Sequence, residues 1–93
     1  MELAQISIKK VVWDDLNIAH IAKHGVKPSD VDFAFSDARA VFFKTYSERI
    51  IVLGRSGKRL LAVVLSREKE GCYYVVTARD MAKKERTIYR KGV

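Results

Sequence analysis

Between Ala40 and Ala78 the sequence holds four β-rich runs, Ala40–Lys44, Arg49–Arg55, Arg59–Arg67 and Cys72–Ala78, separated by three or four residues each. A parallel crossover needs about a dozen residues or more, so gaps this short leave only antiparallel hairpins. Ser56-Gly57 and Glu70-Gly71 supply turn residues at two of the gaps. Leu60 to Leu65 is apolar at both parities, a pattern that predicts a strand covered on both faces. Such a sheet needs a layer on each side, and the flanking segments read as the helices that provide them.

Ile6 to Trp13 reads as a first strand. Asp14 follows as a helix N-cap, with Trp13 and Ile18 placed as a hydrophobic staple. The first helix runs from about Asp15 to His24 and stops at Gly25, with Ile18, Ile21 and Ala22 as its apolar stripe. A second helix starts at Pro28, where a missing N–H costs nothing, and buries Val31, Ala34, Phe35 and Ala38. At the other end, Thr77-Ala78-Arg79-Asp80 fits a capping box that opens a last helix. The predicted order is β-α-α-β-β-β-β-α. It describes one α+β domain over residues 1–93, a small antiparallel sheet with two N-terminal helices and a C-terminal helix.

Charge narrows the function. Residues 1–38 carry four basic and six acidic side chains, whereas residues 39–93 carry fourteen and five, for a net charge of +7 overall. An excess gathered in one part of a small chain favours a polyanionic partner. Cys72 is the sole cysteine, which excludes an internal disulfide and fits a reducing compartment. The amino end, MELAQISIKK, lacks the basic start and apolar stretch of a secretory signal, and no apolar run approaches the roughly 20 residues that span a bilayer. A cytoplasmic protein without membrane contact is expected.

Several chemistries have no support. There is no phosphate-binding glycine loop, so no nucleotide cofactor is expected. His20 and His24 have the i, i+4 spacing of metal ligands but no evident third ligand, so no metal is assigned. The arginines say more. Arg55 ends a strand beside a tight turn, and Arg79 sits at the junction of the last strand and last helix. A guanidinium offers planar paired donors suited to phosphate oxygens. The competing role for either is an ion pair with Asp80, Glu48 or Glu68. Lys83, Lys84, Arg86 and Arg90 give the last helix a basic side, with Glu85 the lone acid among them.

Four blocks of this sequence resemble the BrnT family of toxins from bacterial type II toxin–antitoxin systems. Asn17-Ile18-Ala19-His20-Ile21-Ala22-Lys23-His24-Gly25-Val26 is similar to the family's N-x-x-H-I-x-[KR]-H-G-V, and Pro28-Ser29-Asp30-Val31 to its P-E-E-V continuation. Val52-Leu53-Gly54-Arg55 matches the strand ending in Gly-Arg. Thr77-Ala78-Arg79, then Glu85-Arg86 and Tyr89, match [ST]-A-R…E-R…Y. The resemblance covers about Val12 to Tyr89 with order and spacing kept.

The resemblance implies a RelE-like fold, a ribonuclease that inhibits translation, and a BrnA-like antitoxin with a ribbon-helix-helix DNA-binding part. Metal-independent cleavage uses the RNA's own 2′-OH as nucleophile. The enzyme then supplies only proton transfer and charge stabilisation. In that scheme Arg55 and Arg79 face the phosphorane, His24 or Glu85 transfers the proton, and Lys23, Lys83, Lys84 and Arg86 hold the RNA backbone. Single-stranded RNA, messenger RNA included, is the expected substrate. The alternative is a non-catalytic module of the same fold that binds nucleic acid or antitoxin. For the antitoxin itself the expected contact is an acidic stretch laid over the basic face near Arg55, Arg79 and the last helix, the opposing view being a grip on the amino-terminal helices.

Overall fold

The computed structural model describes residues 2–3 and 6–92. Its elements are β1 (Glu2–Leu3), β2 (Lys10–Val12), α1 (Asp15–Ala22), α2 (Pro28–Ser36), β3 (Val41–Lys44), a 3-10 turn (Tyr46–Glu48), β4 (Arg49–Ser56), β5 (Arg59–Lys69), β6 (Cys72–Asp80) and α3 (Lys83–Lys91). One sheet takes the order β1-β3-β4-β5-β6-β2. The expected meander β3–β6 is antiparallel throughout, and β1 joins β3 antiparallel. The α+β class is as the sequence implied.

Two strand expectations need correction. The first strand was expected over Ile6–Trp13 in an antiparallel sheet. Instead β2 has three residues and lies parallel to β6, pairing Lys10 with Cys72 and Val12 with Tyr74. The ladder is short because β6 begins at Cys72. Just before it, the Gly71 carbonyl already accepts the N–H groups of both Lys9 and Lys10. Beyond Val12, Asp14 turns the chain into α1. The capping box expected at Thr77 is also absent. β6 runs on, with Thr77, Ala78, Arg79 and Asp80 paired to Val64, Val63, Ala62 and Leu61. A long apolar β5 offers ladder hydrogen bonds along its whole length, and these outweigh a local capping preference. α3 starts only at Lys83, where Glu85 accepts the Ala82 N–H at 2.7 Å.

β5 is covered on both faces, as its pattern requires. On one side Leu61, Val63 and Leu65 join Val52, Tyr73 and Val75 beneath Ile21 of α1 and Val31 and Ala34 of α2. On the other, Ala62 joins Val41, Phe43 and Leu53 beneath Met81 and Tyr89. Each such Leu or Val contributes about 1.5–3 kcal/mol on burial. α2 lies unusually close to β4. A Cβ on Gly54 would fall 2.2 Å from the Ala34 carbonyl oxygen, so only glycine allows this approach. Asp30 fixes the other end of α2. It accepts the Lys27 N–H at 2.9 Å and the Ser56 hydroxyl at 2.7 Å, and these bonds lower its pKa.

α1 departs from its expected stripe. Asp14 does cap it, exchanging bonds with Asn17: the Asn17 N–H to Asp14 Oδ1 at 2.9 Å and the Asp14 N–H to Asn17 Oδ1 at 2.8 Å. The Asn17 amide also donates to the Val12 carbonyl. A fully partnered Asn17 is therefore buried beside Ile21, while Ile18 and Ala22 are exposed. At the other end the Gly25 N–H bonds to the Ala22 carbonyl and the Val26 N–H to that of Ile21, a Schellman closure with Gly25 at φ +69°. In α2, Val31 and Ala34 are buried and Phe35 partly so, but Ala38 lies past the helix and is exposed. No helix among the described residues is long and apolar enough to cross a membrane.

Candidate active site

Cross-strand partners point to the same face of a sheet. Arg55 pairs with Leu60 and Arg79 with Ala62, and both partners belong to the cluster under α3. The two arginines therefore project from β4 and β6 onto the α3 face, on either side of β5 and at the same end of the sheet. Two strand spacings and a two-residue offset put their Cα atoms about 12 Å apart.

Arg79 meets Glu85 of α3 in a two-pronged pair, Nη1 to Oε1 at 2.7 Å and Nη2 to Oε2 at 3.1 Å. Nη1 also donates to the Asp80 carbonyl. Partial burial works to raise the Glu85 pKa. The Arg79 and Ala82 hydrogen bonds and the Arg79 charge outweigh it and leave Glu85 lowered. The same hydrogen bond raises Arg79. Glu85 is thus an ionised acceptor at neutral pH with capacity left on Oε2. Expected separately as phosphate ligand and proton acceptor, the two side chains form one unit.

Arg55 is exposed, and its charge acts on a second pair, Asp37 and Tyr89. The Tyr89 hydroxyl donates to Asp37 Oδ2 across 52 residues of sequence, fastening α3 to the end of α2. Burial favours a raised Asp37, but the bonds from Tyr89 and the Arg39 N–H, with the Arg55 charge, lower it. Burial and the bond to Asp37 raise Tyr89. Lys83 and Lys84 are exposed on the first turn of α3, and Arg86 is half-buried with Nη1 on the Met81 carbonyl at 2.8 Å.

Six of the eight expected site residues therefore share the α3 side: Arg55, Arg79, Glu85, Lys83, Lys84 and Arg86. Lys23 and His24 do not. They close α1, which covers the opposite face, and the ring of His24 stands edge-on to that of His20 at 5.9 Å. Among the described residues no group of three His, Cys, Asp or Glu side chains gathers there or elsewhere.

Arg59 was not anticipated. Its Nε donates to Asp80 Oδ1 at 2.7 Å, Nη1 to the Gly25 carbonyl and Nη2 to the His24 carbonyl. One guanidinium thus satisfies carbonyls at the end of α1 and locks them to β6. The Asp80 bond raises Arg59, and Arg59 with the nearby His24 lowers Asp80. Nothing local in the sequence announces a contact spanning about 35 residues. Asp37 likewise had no local signal, while Tyr89 was visible only as a motif position.

A family model described as the ribonuclease toxin BrnT of type II toxin–antitoxin systems matches residues 13–85. Among solved structures, the crystal structure of the Brucella abortus ribonuclease toxin BrnT is similar with a TM-score of 0.62 and 27% sequence identity. That match covers 80% of this chain and 97% of that one. No curated protein matches.

Proposed function

The chain belongs to the BrnT family of ribonuclease toxins of type II toxin–antitoxin systems, and from that premise we propose that it cleaves single-stranded RNA without a metal ion, with its active site on the α3 face of the sheet. A cognate antitoxin is part of any such system. We take it to be BrnA-like, with a ribbon-helix-helix part, and place the toxin in the cytoplasm, where messages are translated.

One observation carries the assignment: Arg55 and Arg79 emerge at the same end of one sheet face, with the ionised Glu85 already in hydrogen bond to Arg79. In the proposed reaction the 2′-OH attacks the adjacent phosphorus and gives its proton to Glu85 Oε2. The P–O5′ bond breaks, the 5′-oxygen takes a proton from solvent, and a 2′,3′-cyclic phosphate remains. Arg55 and Arg79 hold the non-bridging oxygens as charge builds on the phosphorane. Lys83, Lys84 and Arg86 track the backbone without reading sequence. His24 has no role in this scheme, because α1 lies across the other face.

The test is cleavage of a single-stranded RNA by purified protein in excess EDTA, beside the same sequence with one 2′-deoxy linkage. Cleavage in EDTA, cyclic phosphate ends and a resistant deoxy linkage are expected. Retained binding with no cleavage at any linkage would instead identify a non-catalytic module.

A further inference from the structure

Among the described residues, the large apolar side chains that remain exposed are Leu16 at 77%, Ile18 at 39% and Phe33 at 60%. Leu16 and Ile18 lie on α1 and Phe33 on α2, so none is on the α3 side. In α1 the usual arrangement is only partly kept: Ile21 is fully buried, but Leu16 and Ile18 are not. A surface helix normally turns apolar residues inward and polar ones outward. Here Asn17 is turned inward with its bonds satisfied, while Leu16, Ile18, Ala19 and Ala22 face solvent. The buried Asn17 serves the fold as cap partner of Asp14 and donor to the Val12 carbonyl. The exposure of Leu16 and Phe33 does nothing for it, and exposed large apolar side chains mark a contact surface.

Charge says what kind of contact. Residues 14–37 carry five aspartates against Lys23 and Lys27, whereas α3 carries five cations against Glu85. Asp37 turns to Tyr89 and Asp30 to Ser56. That leaves Asp14, Asp15 and Asp32 exposed on the helix layer against Lys23 and Lys27, a balance that favours a basic protein segment over RNA. We propose that the outward face of α1 and α2 is the anchoring surface for the antitoxin, which meets it with a basic segment whose apolar side chains cover Leu16 and Phe33. The assignment rests on the toxin reading for the existence of that partner, and it favours the amino-terminal helices over the basic face as the main grip.

The experiment uses the full chain and the product of the open reading frame adjoining its gene, co-expressed and then measured by calorimetry at about 500 mM salt, where screening falls to about 4 Å. Leu16→Glu with Phe33→Glu is expected to weaken the complex at least 100-fold, with thermal transition and RNA cleavage as in the wild type. Lys83→Glu with Lys84→Glu is expected to bind within threefold of wild type. If the double glutamate variant loses its thermal transition, Leu16→Gln with Phe33→Gln makes the same measurement. Unchanged binding by the helix variants, a loss carried by the lysine variants, or no complex at all would each overturn the proposal. Failure of the ribonuclease reading appears separately, as wild-type protein that does not cleave RNA.

Discussion

Replacing Gly54 with alanine sets a methyl group against main chain that has no freedom to turn aside. The added Cβ would lie 2.2 Å from the Ala34 oxygen and 2.8 Å from the Ala34 carbonyl carbon, where ordinary contact is 3.4–4 Å. α2 must retreat from β4 by more than about 1 Å, and that retreat loosens Val31 and Ala34, both fully buried. Overpacking typically costs about 1–3 kcal/mol, and with main chain on both sides the upper end applies. At roughly 4–8 °C per kcal/mol for a domain of this size, about 3 kcal/mol lowers the melting temperature by roughly 12–24 °C. Urea and thermal unfolding followed by circular dichroism measure it. Gly57→Ala is the control. Its φ is +60° and nothing lies within 4 Å of the added carbon, so only the left-handed backbone penalty of about 1–2 kcal/mol applies. Adding Ala34→Gly to Gly54→Ala should not restore stability, since the obstructing atoms are Ala34 main chain. Rescue by that second change, or a Gly54→Ala loss below about 1 kcal/mol with an unchanged denaturant slope, would refute the close-approach argument.

Arg55→Ala should lower cleavage about 100- to 1000-fold, the usual effect of removing one transition-state donor, with little change in melting because Arg55 is exposed; a cooperative transition lost in the mutant would make Arg55 structural instead. Arg59→Lys keeps the charge but loses the fork to two carbonyls. It should cost about 2 kcal/mol and raise amide exchange at Gly25 and Val26; unchanged exchange there would remove the clamp. Asp30, Asp37, Asp80 and Glu85 all titrate below their ordinary values. Each contributes stability that is complete above the unfolded-state value and is lost as pH falls through the lowered folded value. Melting temperature should stay level from pH 7 to about 5, drop below about 4, and drop less steeply in Glu85→Gln; a decline beginning above pH 6 would contradict this.

The meander was legible because its evidence is local. Short gaps, turn glycines and the two-sided apolar run at Leu60–Leu65 each constrain adjacent strands. What escaped depends on partners distant in sequence. Thr77-Ala78-Arg79-Asp80 satisfies a capping pattern, yet β5 claims those residues as strand. Lys10–Val12 pairs with a strand some sixty residues away, which no periodicity reports. Asn17 is the exception: its partners, Asp14 and the Val12 carbonyl, lie only three and five residues away, but a polar residue type gives no sign that those bonds let it be buried. The site divides the same way. Residue chemistry picked out Arg55, Arg79 and Glu85, but which face each side chain takes needed the register, and that placed His24 and Lys23 on the far side.

The two helix layers also make the protein an electric dipole, not merely a body of charge +7. Asp14, Asp15, Asp30 and Asp32 lie on α1, α2 and the α1 cap and five cations lie along α3, with the sheet between them. In the field of an approaching RNA, the first layer is pushed away and the second drawn forward. The molecule is turned before it touches, and fewer encounters are wasted on the wrong side. Association speed then depends on where charge sits as well as how much there is. A pair of exchanges that leaves net charge untouched, Lys84→Asp with Asp32→Lys, should slow capture of RNA at low salt and have little effect once salt shortens the field to a few ångströms.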